Sequence, residues 1–101
     1  MQPMRLRYTS DALGHLQSIF NFLVERNPAA AGRIMADIRI AAERLLAFPK
    51  MGRNGQVAGT HEWVVRGSPF LMVYEVDVAG DEVRILAVFH GAQDRQDSRS
   101  S

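Results

Sequence analysis

The sequence has no cysteine, which excludes a disulfide framework and a thiolate metal site and suits a reducing compartment. Its three histidines, His15, His61 and His90, are far apart and form neither an HxxxH nor an HExxH pattern. No metal enzyme is therefore expected, and no cofactor. No apolar run approaches the roughly 18 residues that span a bilayer, so no membrane role is expected. The start, Met1-Gln2-Pro3-Met4-Arg5, is basic but lacks a following apolar segment. It does not read as a secretory signal, and the cytoplasm is the expected compartment. Lysine is nearly missing as well: of the 12 lysines and arginines, only Lys50 is a lysine. The guanidinium fork of arginine takes phosphate or carboxylate by two-point contact, which suits an RNA substrate and an acidic protein partner equally. A net charge of +1 demands neither.

What is present is ordinary for one globular domain. The chain has 101 residues, 47% hydrophobic and 23% charged, enough for one core and too few for two. Arg5 to Thr9 alternates polar and apolar like a short strand. Ser10 or Asp11 can then cap a helix whose apolar stripe is Leu13, Leu16, Phe20 and Leu23, ending near Asn27. Asn27-Pro28 starts a second helix, since asparagine caps well and proline fits the first helical position. Its stripe is Ala31, Ile34, Ile38, Ala41 or Ala42, and Leu45. Arg33/Asp37 and Arg39/Glu43 stand at i,i+4 on the wetter side, and Pro49 stops the helix. With almost no linker, the two helices should fold back on each other.

Residues 49–60 hold three glycines and no periodicity, which reads as a loop. Three strands should follow, His61 to Arg66, Phe70 to Val76 and Glu82 to His90, separated by turns at Gly67-Ser68-Pro69 and around Ala79-Gly80-Asp81. The expected fold is therefore α+β. An N-terminal strand and an antiparallel helical hairpin pack on a mostly antiparallel sheet completed by a three-stranded C-terminal meander. Residues 1–94 form one domain, and 95–101, with nothing to bury, form a flexible tail.

Four features can carry chemistry, and each has a plain structural reading beside it. Lys50 and Arg53, set among glycines, can hold a phosphate or simply sit on a solvated connector; the Walker spacing is absent. Strand alternation puts Glu62, Val64 and Arg66 on one face and His61, Trp63 and Val65 on the other. Trp63 and Val65 then face the helices, while Glu62 and Arg66 are either acid/base and phosphate groups or partners of their neighbours. In the last strand Glu82, Arg84, Leu86, Val88 and His90 share a face, which can place Arg84 and His90 beside Glu62 and Arg66. His90 at a strand end can exchange protons near neutral pH, or merely terminate the sheet. The fourth feature is the excess of arginine over lysine.

Several segments carry a family resemblance. They are Asn27-Pro28-Ala29-Ala30-Ala31, Leu46-Ala47-Phe48-Pro49-Lys50-Met51-Gly52-Arg53, Gly59-Thr60-His61-Glu62-Trp63-Val64-Val65, Ser68-Pro69-Phe70-Leu71-Met72-Val73-Tyr74 and Arg84-Ile85-Leu86-Ala87-Val88-Phe89-His90-Gly91-Ala92-Gln93. In this order they resemble the ParE branch of the ParE/RelE toxins over about residues 5–94. His61 stands where that family often has arginine. The resemblance implies the α+β fold above and a cognate antitoxin, encoded beside the toxin, that covers it with a helix and an extended segment. It also implies a non-enzymatic inhibitor that traps DNA gyrase on DNA. The RelE branch implies instead cleavage of messenger RNA on the ribosome, with His90 or Glu62 as acid/base and Arg53, Arg66 and Arg84 stabilising charge. Lys50, Arg53 and Arg84 are the candidate substrate-binding residues, and Glu62, Arg66 and His90 are catalytic only under that second reading.

Overall fold

A computed structural model describes residues 4–91; the tail expected at 95–101 lies outside them. The described elements are β1 (Arg5–Tyr8), α1 (Ser10–Arg26), α2 (Pro28–Ala47), β2 (Arg53–Asn54), β3 (His61–Val64), β4 (Phe70–Asp77) and β5 (Glu82–His90). The sheet runs β1-β5-β4-β3-β2, with β1 parallel to β5 and every other pair antiparallel. The α+β hairpin-on-sheet architecture is as expected, with one addition: β2 is a two-residue strand inside the segment read as a loop. It forms because Arg53 and Asn54 lie opposite Glu62 and His61, a pairing across the 55–60 connection that no alternation of polar and apolar residues announces.

The helix boundaries follow from caps. Asn27 accepts from the Ala30 N–H through its side chain, and Pro28 opens α2 where its missing N–H has no partner to lose. At the start of α1 the cap is Thr9, not Ser10 or Asp11. Its hydroxyl accepts from the Ala12 N–H at 3.1 Å and donates to the Leu86 carbonyl at 3.2 Å. One side chain thus closes the helix and ties it to β5.

All six expected stripe positions of α2 are buried. In α1 the buried stripe is rotated by about one position: Ala12, Leu16, Ile19 and Leu23 meet the core, while Leu13 is 54% exposed. The sheet supplies the other half of the core through Phe70, Met72, Tyr74, Val83, Ile85 and Val88, with Trp63 packed against it and Val65 inside it. Arg39 and Glu43 approach to 4.0 Å. Among the described residues no ion pair joins Arg33 to Asp37.

Tyr74 ties the helical layer to the sheet. Its ring is fully buried, and its hydroxyl donates to the Pro49 carbonyl at 2.7 Å and accepts from the Gly52 N–H at 3.0 Å. The chain leaving α2 is thereby fastened under β3 and β4. Gly52 must be glycine here, since a Cβ would stand 2.5 Å from that hydroxyl and 2.8 Å from the Glu62 carbonyl. Burial raises the Tyr74 pKa above its ordinary value, and the Gly52 hydrogen bond opposes this weakly. Tyr74→Phe strands a carbonyl and an N–H and should lower stability by about 1–3 kcal/mol in urea denaturation. A raised folded-state pKa gives stability that is complete below the free phenol value of about 10 and fades as pH rises through the folded value. The gap between wild type and Tyr74→Phe should therefore narrow in strong alkali; a constant gap would contradict the assignment.

Candidate functional site

The register of β5 decides which candidate residues can meet. Val73 lies opposite Ala87, but Tyr74 lies opposite Ile85, so Leu86 is an extra residue without a partner in β4. Because strand side chains alternate, one inserted residue exchanges the faces beyond it. Val83 and Ile85 point to the helices before the bulge, and Val88 points there after it. Arg84 therefore lies on the face away from the helices and His90 on the helical face. The expectation that Glu82, Arg84, Leu86, Val88 and His90 share one face is corrected by this bulge.

The candidate residues separate into four places. Arg84 is held by carboxylates: it pairs with Glu75, with Glu82 at 2.8 Å and with Asp77 at 3.5 Å, while Arg7 reaches Glu82 at 3.1 Å. Glu75 first, then Glu82, raise the Arg84 pKa further. Its charge is spent within the fold. Arg53 and Glu62 do come together, both Arg53 Nε and Nη2 lying 3.3 Å from a carboxylate that is only 7% exposed. Lys50 stands exposed in the preceding turn. Arg66 follows β3 and lines a cleft against α2, with Asp37, Ile40, Ala41, Arg44 and Trp63. His90 packs edge-on against Phe70, centroids 5.9 Å apart.

His90 also borders a groove of about 510 Å³ lined by Ser18, Ile19, Phe22, Leu23, Ile34, Pro69 and Phe70. Phe22 is 52% exposed there, with the Arg26 guanidinium 3.8 Å above its ring. The sequence reading missed this groove, although Ile19, Phe22 and Leu23 at helical spacing carried a signal for it. It also missed the Arg44–Trp63 cleft, for which the i, i+3, i+4, i+7 spacing of Asp37, Ile40, Ala41 and Arg44 was the available sign. His15 was not foreseeable. It reaches from α1 to accept the Val88 N–H at 3.2 Å, beyond the point where β1 stops pairing with β5. His61 rests on the Tyr74 ring at 5.3 Å, its buried Nδ1 without a hydrogen-bond partner among the described residues. Among the described residues no group of three His, Cys, Asp or Glu side chains can hold a metal.

The chain resembles known proteins along most of its length. A family model described as the ParE toxin of type II toxin–antitoxin system, parDE, matches residues 6–95. A Sinorhizobium fredii protein named as a toxin, Y4kP, is 33% identical over 93 residues, covering 92% of this chain and 94% of its own. The chromosomal ParDE toxin–antitoxin system of P. aeruginosa superposes with a TM-score of 0.77 at 27% identity, over 86% of this chain and 95% of that one. The RelBE2 toxin–antitoxin complex of Mycobacterium tuberculosis gives 0.63 at 26% identity, over 88% and 99%.

The ion cluster on the face away from the helices has a measurable acid signature. The Arg7 hydrogen bond, then Arg84, hold the Glu82 pKa below its ordinary value against a smaller opposing effect of burial. A depressed folded-state pKa gives stability that is present above the unfolded carboxylate value of about 4.3 and is lost as pH falls through the folded value. Glu82→Gln should therefore be less stable than wild type at neutral pH and converge with it in acid. Urea midpoints from about pH 7 down to about pH 3 would show this; parallel curves would mean that the cluster contributes nothing.

Proposed function

The chain belongs to the ParE toxin family of type II toxin–antitoxin systems, and on that footing we propose that it inhibits DNA gyrase and is held in check by a cognate antitoxin. The observation that carries this reading is the ParE match, which runs through residues 6–95. Inhibition of this kind needs a recognition surface and no reacting side chains. Trapping the enzyme on cleaved DNA leaves breaks that stall replication, in the cytoplasm where the chromosome lies.

The geometry favours this over the cleavage of messenger RNA on the ribosome. That reaction needs a base at the ribose 2′-OH, an acid at the leaving oxygen and cations around one phosphate. Glu62 lies on the face away from the helices and is engaged by Arg53, while His90 and Arg66 lie on the helical side in two different hollows. The charge of Arg84 is already met by three carboxylates. Nothing gathers these groups about a common atom.

For the antitoxin, the groove bounded by Phe22, Ile34 and Phe70 suits the apolar face of a partner helix. Solved relatives include toxin–antitoxin complexes.

The decisive assay uses the purified protein, freed of antitoxin, with gyrase, plasmid DNA and ATP. We expect cleaved DNA to accumulate only when toxin, gyrase and ATP are all present. His90→Ala should lose about 0.5–1.5 kcal/mol with its Phe70 contact without abolishing that cleavage. No cleaved DNA from a preparation that is folded and toxic in cells would sink the gyrase reading and favour ribosome-dependent cleavage of messenger RNA.

A further inference from the structure

The cleft between α2 and β3 is distinct from the apolar groove, and it has a different chemistry. Its floor is apolar: Ala41, the 49%-exposed Ile40 and the half-buried Trp63. Its rim is charged, with Arg44 on α2, Arg66 beyond β3, and Asp37 between them. Helical spacing sets Asp37, Ile40, Ala41 and Arg44 on one flank of α2. The turn at Gly67, whose φ is 81°, brings Arg66 against that flank, with an Asp37 carboxylate oxygen 4.0 Å from where a Gly67 Cβ would be.

Three features limit what can occupy it. First, among the described residues no ion pair or side-chain hydrogen bond engages Arg44 or Arg66, whereas Arg7, Arg53 and Arg84 are all paired. Two uncommitted guanidinium groups beside an apolar floor favour a carboxylate, which each can grip at two points. Second, a volume of about 190 Å³ is below the roughly 300–1,000 Å³ of small-molecule pockets, and fits one or two side chains. Third, β2 pairs only with His61 and Glu62, so among the described residues Val64 has no strand partner on that side of β3. The Val65 N–H bonds to the Phe70 carbonyl of β4; by strand alternation the backbone groups of Val64 point the other way, out of the sheet.

We propose that this cleft seats an extended acidic segment of the antitoxin. Its carboxylates pair with Arg44 and Arg66, an apolar side chain rests on Trp63 and Ile40, and its backbone runs along β3 at Val64. Nucleic acid is the poorer occupant, since phosphate backbones call for a row of cations and Asp37 repels them here. The inference rests on the reading that a protein antitoxin exists, and it adds where and by what chemistry that partner is held.

Trp63 is the only tryptophan in the chain, so its fluorescence reports on this cleft alone. The toxin is titrated with the antitoxin encoded beside it, using Trp63→Phe as the blank, and the affinity is measured by calorimetry. We expect the Trp63 emission to change on binding. Arg66→Glu and Arg44→Gln should each weaken the complex roughly tenfold or more, more steeply at low salt, with circular dichroism unchanged. Full affinity in both variants together with an unmoved Trp63 signal would overturn the cleft while leaving the antitoxin reading intact. Failure of the wild-type protein to form any complex would overturn both. A Trp63 change produced by duplex DNA alone, and lost in Arg66→Glu, would assign the cleft to phosphate and overturn the proposal.

Discussion

One unpaired residue, Leu86, governs the arrangement of this molecule. Strand side chains alternate with a period of two, so a single insertion turns everything beyond it over. Before the bulge β5 gives Val83 and Ile85 to the core and Arg84 to the opposite face. Beyond it Val88 fills the core and His90 reaches the groove beside α1 and α2. The parallel partner β1 pairs only as far as Ile85. From there the edge of β5 is met by α1, through the Thr9 hydroxyl at the Leu86 carbonyl and the His15 imidazole at the Val88 N–H. A backbone that would otherwise present unpaired groups is closed by side chains, and the helical hairpin is anchored to the sheet in doing so.

This division separates two kinds of surface. On the face away from the helices, arginine and carboxylate side chains satisfy one another: Arg84 among Glu75, Asp77 and Glu82, and Arg53 with Glu62. Such a face is set by its own pairs and has little charge left to offer a substrate. The helical side keeps what the fold does not use. Phe22 lines an apolar groove with half its surface exposed, and Arg44 and Arg66 border a second hollow without side-chain partners among the described residues. Unspent apolar area and unspent charge are what recognition of another protein draws on, in keeping with a protein that acts by binding.

Much of the fold could be read along the chain. Asn27-Pro28 marked the break between the helices because capping is a matter of adjacent residues. The α2 stripe from Ala31 to Leu45 was visible because helical periodicity repeats over about four turns. In α1 the same reasoning placed Leu13 and Phe20 inward, yet Ala12 and Ile19 hold those places. Apolar residues occur on both flanks of this helix, and only the position of the sheet selects between them. The Thr9 cap was missed for a similar reason, since Ser10 and Asp11 are equally good local candidates. Thr9 is preferred because its hydroxyl also reaches Leu86 in the last strand.

Composition, helix and strand periods, turn residues and the ordered family segments together determined the α+β class, the hairpin on a sheet and the toxin family, because each depends on neighbours a few residues apart. The candidate site was legible only as a set of residue types. Which of Glu62, Arg66, Arg84 and His90 share a surface depends on strand register, and register is fixed by pairings up to dozens of residues apart. A bulge leaves no mark in the local pattern: Leu86 alternates on paper like any strand residue. The tertiary structure alone decided that these four part company, and that the free arginines sit where α2 meets the edge of β3.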